Sequence, residues 1–382
     1  MAFNFDQGVE RRHSGSVKWD KYHDRDIIPL WVADTDFQSP PAVIDALQQR
    51  VAHGVFGYGH PSAELIAIFT RRMVERYGWR IKPEWLVFLP GVVCGLNLCV
   101  RAFTANGEVT LAPSPIYPPF RQAAKYAGRR QLSIPMQLQH QRWLPDLQAA
   151  TDQLRGNEKL LLLCNPHNPG GTVYRPQELL AQHQFAQTHG LIVCSDEIHC
   201  DLLLEPGLQH IPFVSLNEDA AQRSVTLMSP SKTFNIAGLG ASLAIIPNPQ
   251  LRQAFCRERR GIVPSVDILA LVAAQAAYQH GQAWLDQQLA YLRANRDLVI
   301  TQINALPGMR LPPIEATYLA WIDCSDLPVD NPHAFFEQAG VGLSPGLDFG
   351  DRRYVRLNFG CQRALLICAL DRIAHAVNAL PH

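Results

Sequence analysis

The chain has 382 residues, 47% of them hydrophobic and 18% charged, which is enough to bury one large core and a second, smaller one. Its 34 basic residues are balanced by 34 acidic ones, so bulk electrostatics offer no attraction for nucleic acid or an anionic membrane surface. No apolar run approaches membrane-spanning length and no basic stretch leads into an apolar one at the N-terminus. Nine cysteines without a C-x-x-C pair give neither a disulfide framework nor a zinc site, so a cytoplasmic protein with reduced thiols is expected.

In chain order, the first thirty or so residues show no strong periodicity and fit against either part of the fold. Ser39 followed by Pro40 and Pro41 marks a helix start, with Val43, Leu47 and Val51 on one face and Gly54 as the stop. A second helix carries Leu65, Phe69, Met73 and Tyr77 at four-residue spacing and ends at Gly78. The period then changes. Short apolar runs from Trp85 to Leu89, Glu108 to Ala112, Lys159 to Cys164, Leu191 to Ser195, Ser224 to Met228 and Ala241 to Ile246 are mostly separated by helix-length segments. Strands covered by helices on both faces have this pattern, and Cys94, Cys99, Cys164 and Cys194 fall in such apolar segments as buried thiols. The run Arg257-Glu258-Arg259-Arg260 is a solvated helix end. From about residue 282 the pattern is helical (Trp284, Leu285, Leu289, Leu292, then Leu298 to Leu306). Strand candidates follow at Tyr318 to Ile322 and Tyr354 to Leu357, with a last helix near Arg363 to Leu380. The expected fold class is α/β, with a mostly parallel sheet in a large domain over residues 40–285. A smaller α+β domain is built from residues 1–39 and 286–382.

Three polar motifs each close an apolar run. Lys232 lies in Ser229-Pro230-Ser231-Lys232-Thr233-Phe234-Asn235, and an amine delivered at a strand end among hydroxyls suits covalent capture of a carbonyl. Asn165-Pro166-His167-Asn168-Pro169-Gly170-Gly171-Thr172 follows the run ending at Cys164, and Ser195-Asp196-Glu197-Ile198-His199 follows the next one. In an open α/β sheet ligands gather beyond the carboxyl ends of the strands, so Asn168, Asp196 and Lys232 are expected to converge on one crevice. Each residue also has a plainer reading. Asn168 makes a Pro-flanked turn, Asp196 caps a loop, and Lys232 is a solvated charge.

With 28 residues from Asn168 to Asp196 and 36 from Asp196 to Lys232, the set resembles the fold type I pyridoxal-phosphate enzymes of the aminotransferase class I/II group, over nearly the whole chain. The resemblance implies that Lys232 is the cofactor anchor and acid-base catalyst, that Asp196 keeps the pyridine nitrogen protonated, and that Asn168 donates to the phenolic oxygen. Tyr117, in Ser114-Pro115-Ile116-Tyr117-Pro118-Pro119, matches the position whose ring stacks on the cofactor. Gly91, Val92 and Val93 open a helix where free amides and the helix dipole favour a phosphate. Ser229 and Ser231 match the phosphate-binding hydroxyls, and Tyr58, in Phe56-Gly57-Tyr58-Gly59, matches a tyrosine lent by the partner subunit, which implies a homodimer. By the same resemblance Arg356, in Tyr354-Val355-Arg356-Leu357-Asn358, clamps the substrate α-carboxylate. Ala33 and Asp34 close the site from the N-terminal arm. The partner molecule is a small amino acid, with Asn168 also on its side of the site.

Two departures from the aminotransferase pattern bear on the reaction. Where many aminotransferases have a tyrosine after D-E-x and an arginine eight residues beyond the lysine, this chain has His199 and Gly240. Those residues, with Trp31-Val32-Ala33-Asp34-Thr35-Asp36-Phe37 and His53-Gly54-Val55-Phe56-Gly57-Tyr58, resemble the cystathionine β-lyase-like carbon-sulfur lyase branch. The expected reaction is β-elimination from a sulfur-containing L-amino acid to a thiol, pyruvate and ammonia, with cystathionine as first candidate. The rival readings are an aminotransferase with the same cofactor and a cofactor-bound regulatory protein with incidental lyase activity. His199 is placed at the cofactor, and its plainer reading is a packed, hydrogen-bonded histidine.

Overall fold

Strand Glu158–Cys164 shows why the main sheet forms where it does. Leu160 and Leu162 pack with Val225, Leu227 and the helix Val92–Phe103 on one face, while Leu161 and Leu163 pack with Leu179, Phe185 and Ala186 of the helix Pro176–Thr188 on the other. A strand covered on both sides needs an apolar residue at every position, and each buried leucine contributes roughly 1.5–3 kcal/mol. The computed structural model describes residues 2–381 and arranges eight strands into this sheet. Their order is Leu86–Leu89, Ser242–Ile245, Ser224–Met228, Ile192–Asp196, Glu158–Cys164, Val109–Ser114, Arg130–Gln139 and Arg142–Pro145. The strands from Ser224–Met228 to Arg130–Gln139 run parallel. Ser242–Ile245 is antiparallel to both its neighbours, so Leu86–Leu89 runs in the same sense as the parallel set. All these parallel strands therefore deliver their carboxyl ends to one edge, which is where ligands collect in such sheets.

The expected strands and helices are present with ends shifted by a residue or two, and Ser224–Met228 matches without a shift. The helices Pro41–His53 and Ala63–Tyr77 stop on Gly54 and Gly78 in left-handed conformation (φ 78° and 63°). One face assignment fails: Val51 is 54% exposed, because the last turn of its helix runs past the core. The hairpin Arg130–Gln139 and Arg142–Pro145 is not anticipated, since it forms the sheet's polar edge, where Pro135 and alternating glutamines mask a strand pattern. The helix Pro249–Arg259 ends at the basic run as expected.

A three-stranded antiparallel sheet, in the order Leu319–Asp323, Tyr354–Asn358, Ser344–Pro345, packs with the helices Gln282–Asn304 and Arg363–Asn378 through Leu292, Leu319, Leu357, Leu366 and Ile373. That cluster also takes in Phe5 and Leu30 from the N-terminal arm and Ala273 and Ala277 from the helix Ile268–His280. The arm's position, open from sequence, is set by Ile28–Pro29 pairing in parallel with Val341–Gly342. The cysteines of the described residues are all free thiols, six of them buried. Among the described residues no group of side chains could hold a metal ion, and no helix is long and apolar enough to cross a membrane.

Candidate active site

Asp196 is the last residue of its strand, and Asn168 follows the strand ending at Cys164. Tyr117 follows the strand ending at Ser114, and Lys232 the strand ending at Met228. Gly91 follows Leu89 and is the cap of the helix Val92–Phe103. These residues meet in a cavity of about 200 Å³, whose walls also include Val92, Val93, His199, Ser231 and Ala33. The expected convergence of Asn168, Asp196 and Lys232 is what the sheet's geometry produces.

His167 joins two of the loops. Burial pushes its imidazole down to about 4 and keeps it neutral. Nε2 then donates to the Pro115 carbonyl (3.1 Å) while Nδ1 accepts from the Gly170 N–H (3.2 Å). With the Tyr117 N–H donating to the Asn168 carbonyl (3.0 Å), the stacking candidate and the amide are held at a fixed spacing. On the lysine loop, the Ser229 hydroxyl donates to the Ala241 carbonyl (2.6 Å) and accepts from the Ser231 N–H (3.1 Å). Ser229 thus shapes the loop rather than lining the cavity, while Ser231 lines it. Tyr58 is fully exposed and stands outside this chain's cavity.

The N-terminal arm is the lid of the site. The Asn235 side chain accepts from the Thr35 N–H (3.1 Å) and donates to the Thr35 and Phe37 carbonyls (3.0 and 2.7 Å). The Asn358 amide donates to the Val32 and Asp34 carbonyls. Ala33 is left with its carbonyl over the cavity, accepting from Lys232 Nζ (2.7 Å) and from the Tyr318 hydroxyl (3.0 Å). Tyr318 was not singled out from sequence; it sits in a strand pattern that any core tyrosine would fit.

Three charges in this region, Asp196, Lys232 and Arg356, make no ion pair among the described residues. Burial drives the Asp196 carboxyl up to about 7; its one hydrogen bond, from the Ile198 N–H (3.1 Å), offsets this only in part. Burial also brings Lys232 down to about 8, helped by Arg356 and opposed by Asp34 and Asp196. Arg356 is 4% exposed and makes no ion pair among the described residues. Its guanidinium donates to Asn168 Oδ1 (3.0 Å), the Trp31 carbonyl (3.0 Å) and the Ser344 hydroxyl (3.3 Å), and lies over the Phe349 ring at 4.6 Å. Nε has no partner among the described residues, and burial lowers the guanidinium to about 10. Only neutral groups hold this arginine, and the buried ion-pair alternative is excluded for the described residues.

His199 is buried with Nδ1 unpartnered among the described residues, and burial together with Lys232 and Arg356 lowers it to about 3, so it is neutral. Gly240 cannot be exchanged for the arginine found there in many aminotransferases. It adopts φ +66°, and a Cβ would lie 2.7 Å from the Pro90 carbonyl oxygen. The donor set fits an aromatic aldehyde bearing a basic ring nitrogen and a phosphate. A buried carboxylate awaits a cation, an amine of lowered pKa faces the same space, and the amides at the start of the helix Val92–Phe103 open onto it.

Residues 25–373 match the family model described as aminotransferase class I and II. The chain is 37% identical to cystathionine beta-lyase PatB of Bacillus subtilis (strain 168), over 98% of this chain and 100% of that one. The crystal structure of OvoB is 62% identical, with a TM-score of 0.98 over 99% of this chain and 100% of that one. The PLP-bound C-S lyase from Staphylococcus hominis is 30% identical, with a TM-score of 0.92 over 99% and 98% of the two chains.

Proposed function

The chain belongs to the aminotransferase class I and II family, and we propose that within it this protein is a pyridoxal-phosphate carbon-sulfur β-lyase acting on S-substituted L-cysteines. The observation that carries this reading is that Asp196 and Lys232, two charges without an ion pair among the described residues, face one cavity, and that Asn168 in its wall accepts from the Arg356 guanidinium (3.0 Å). Similarity to a cystathionine beta-lyase and to a PLP-bound C-S lyase selects elimination over transamination, in keeping with His199 and Gly240.

When bound, pyridoxal phosphate supplies an electron sink conjugated to the substrate α-carbon. Asp196 would keep the ring nitrogen protonated, and a cation there would remove the cost of burying the carboxylate alone. Gly91, Val92, Val93 and Ser231 would hold the phosphate, Tyr117 would lie against the ring, and Asn168 and His199 would serve its phenolic oxygen, all of them lining the cavity. Arg356 grips the α-carboxylate, orienting the Cα–H bond toward Lys232. With its pKa near 8, Lys232 is neutral in a useful fraction at physiological pH and removes the α-proton. The C–S bond then breaks, the electron pair leaves with sulfur and a proton completes the thiol. One water is consumed as pyruvate and ammonia form.

The working unit is a homodimer in which Tyr58 reaches the partner's phosphate site. Support comes from its full exposure beside Phe56 and Val55, 57% and 61% exposed, an apolar surface unsuited to water. Pyruvate and thiol released from cystathionine or another S-substituted cysteine, without any added keto acid, are the expected outcome. Turnover that requires a keto-acid acceptor would establish the aminotransferase instead.

A further inference from the structure

Lys232 and Tyr318 donate to the same acceptor. The Ala33 carbonyl takes Lys232 Nζ at 2.7 Å and the Tyr318 hydroxyl at 3.0 Å, and a carbonyl oxygen has two lone pairs, so both are occupied. On either side of it the Val32 and Asp34 carbonyls are held by the Asn358 amide, which leaves the Ala33 carbonyl to the tyrosine and the lysine. Tyr318 is 1% exposed and is not among the walls of the cavity, so it acts on the site through Ala33. Burial raises its phenol above the ordinary value, and the hydroxyl remains a donor.

The backbone bends sharply to bring that ring into place. Thr317, fully buried, has φ +76°, a left-handed conformation that a β-branched residue rarely takes. Its N–H donates to the Leu202 carbonyl (2.9 Å), and its hydroxyl accepts from the Leu319 N–H (3.1 Å). The Ala316 N–H donates to the Gly171 carbonyl (3.0 Å), and the Phe359 N–H to the Tyr318 carbonyl (2.9 Å). Gly171 and Leu202 lie on the segments that carry Asn168 and His199, and the His199 ring meets Tyr318 edge to face, with centroids 6.2 Å apart. The strained turn is thus fixed to the sheet side of the site, and Tyr318 extends that fixed point to the arm. Strain of this kind persists only where the surroundings over-determine it, and it gathers at functional sites.

We propose that Tyr318 is a positioning residue for α-proton transfer: by fixing the Ala33 carbonyl it fixes the Lys232 amine, whose lone pair is then aimed at the substrate α-carbon. The proposal rests on the lysine chemistry of the lyase reading above. The amine that stands free in this structure is the group that acts once the substrate amine has taken its place on the cofactor. A lysine stem is long and rotamer-rich, so an amine without a fixed acceptor is often out of line. With one N–H committed to Ala33, the direction left to the lone pair is narrowed. The proton passes from Cα to Nζ, the C–H electron pair stays with the α-carbon, and the ammonium so formed keeps the Ala33 carbonyl as its acceptor.

The test compares wild type and Tyr318→Phe as holoenzymes, with L-cystathionine and its α-deuterated form, each rate taken per cofactor-loaded molecule. Expected is a kcat about ten- to a hundredfold lower with KM nearly unchanged, and a larger α-deuterium isotope effect, because a misplaced amine makes proton transfer the slow step. A loss of folded molecules would lower the total rate and leave the isotope effect where it was. In the cofactor-free protein, Lys232→Met and Tyr318→Phe should shift the thermal midpoint non-additively, since the two donors share one oxygen. A Tyr318→Phe kcat within about twofold of wild type, an isotope effect that does not rise, or additive midpoints overturns the proposal. Turnover that appears only with an added keto acid overturns the lyase reading alone. The α-proton step is common to elimination and transamination, and the same isotope comparison then applies to the keto-acid-dependent rate.

Discussion

Asp196 and Asp201 lie five residues apart, are similarly buried at 5% and 4% exposure, and have opposite electrostatic fates. Burial alone raises both. At Asp201 the Arg72 ion pair (2.7 Å) and the Tyr77 hydroxyl (2.7 Å) outweigh it and hold the carboxyl below its ordinary value. At Asp196 a single backbone N–H leaves burial in command, and the carboxyl rises to about 7. The two arginines repeat the contrast: Arg72 is raised because Asp201 outweighs its burial, and Arg356, with no carboxylate partner among the described residues, is lowered to about 10. Beneath the lysine loop, where Thr233 donates to Asp201 (3.3 Å), the chain compensates its own charges and gains a rigid floor. Above it the charges are left open for a ligand, at a cost in stability that binding recovers.

The contrast would break if the two regions responded alike to substitution. The largest effect expected is at Lys232: Lys232→Ala should lower pyruvate release by at least about 10³-fold with no loss of thermal midpoint, since an amine with no carboxylate partner is removed. A cofactor-loaded variant that still turns over normally would remove Lys232 from the chemistry. In the floor, Arg72→Leu should cost about 3–5 kcal/mol in a denaturant melt by stranding Asp201, with turnover per folded molecule close to wild type. If instead stability held and catalysis collapsed, the floor would belong to the site.

Arg356→Lys sharpens the reading of the open side. A point charge cannot present the planar fork, so kcat/KM should fall about 100-fold, mostly through KM, with little change in stability. A loss confined to kcat would mean that Arg356 does not hold the carboxylate.

The smallest effect expected is one of pH on the cofactor-free protein. Because the folded pKa of Asp196 lies above the ordinary 3.8, the native state keeps a proton that the unfolded chain has lost. The stability from this group is full below about pH 4 and is lost as pH rises through about 7. Asp196→Asn abolishes that dependence, so at pH 8 the cofactor-free variant should melt a few degrees higher than wild type while its turnover with cofactor drops. Lys232 works in the other direction: its folded pKa near 8 lies below the ordinary 10.5, so stability is lost as pH falls from 10.5 toward 8. Identical melting of wild type and Asp196→Asn from pH 5 to 8 would show that the carboxylate is compensated after all.

Much of this was written locally. Apolar runs such as Leu160 to Cys164 specify doubly covered strands wherever they occur, and alternation with helices specifies parallel strands with one functional edge. Hence the convergence of Asn168, Asp196 and Lys232 was legible from motifs that each follow an apolar run, and the family from the resemblance those motifs and their spacing carry. The tertiary structure decided what each charge meets. Nothing near Arg356 in sequence says that it will find Asn168, Trp31 and Ser344 and no carboxylate, nor that Asp201 will be answered by Arg72, 129 residues away. The Pro90 carbonyl that bars a side chain at Gly240, and the arm that brings Ala33 and Asp34 over Lys232, are likewise products of packing. Periodicity is a property of neighbours along the chain, while compensation of a buried charge depends on groups brought together only by folding.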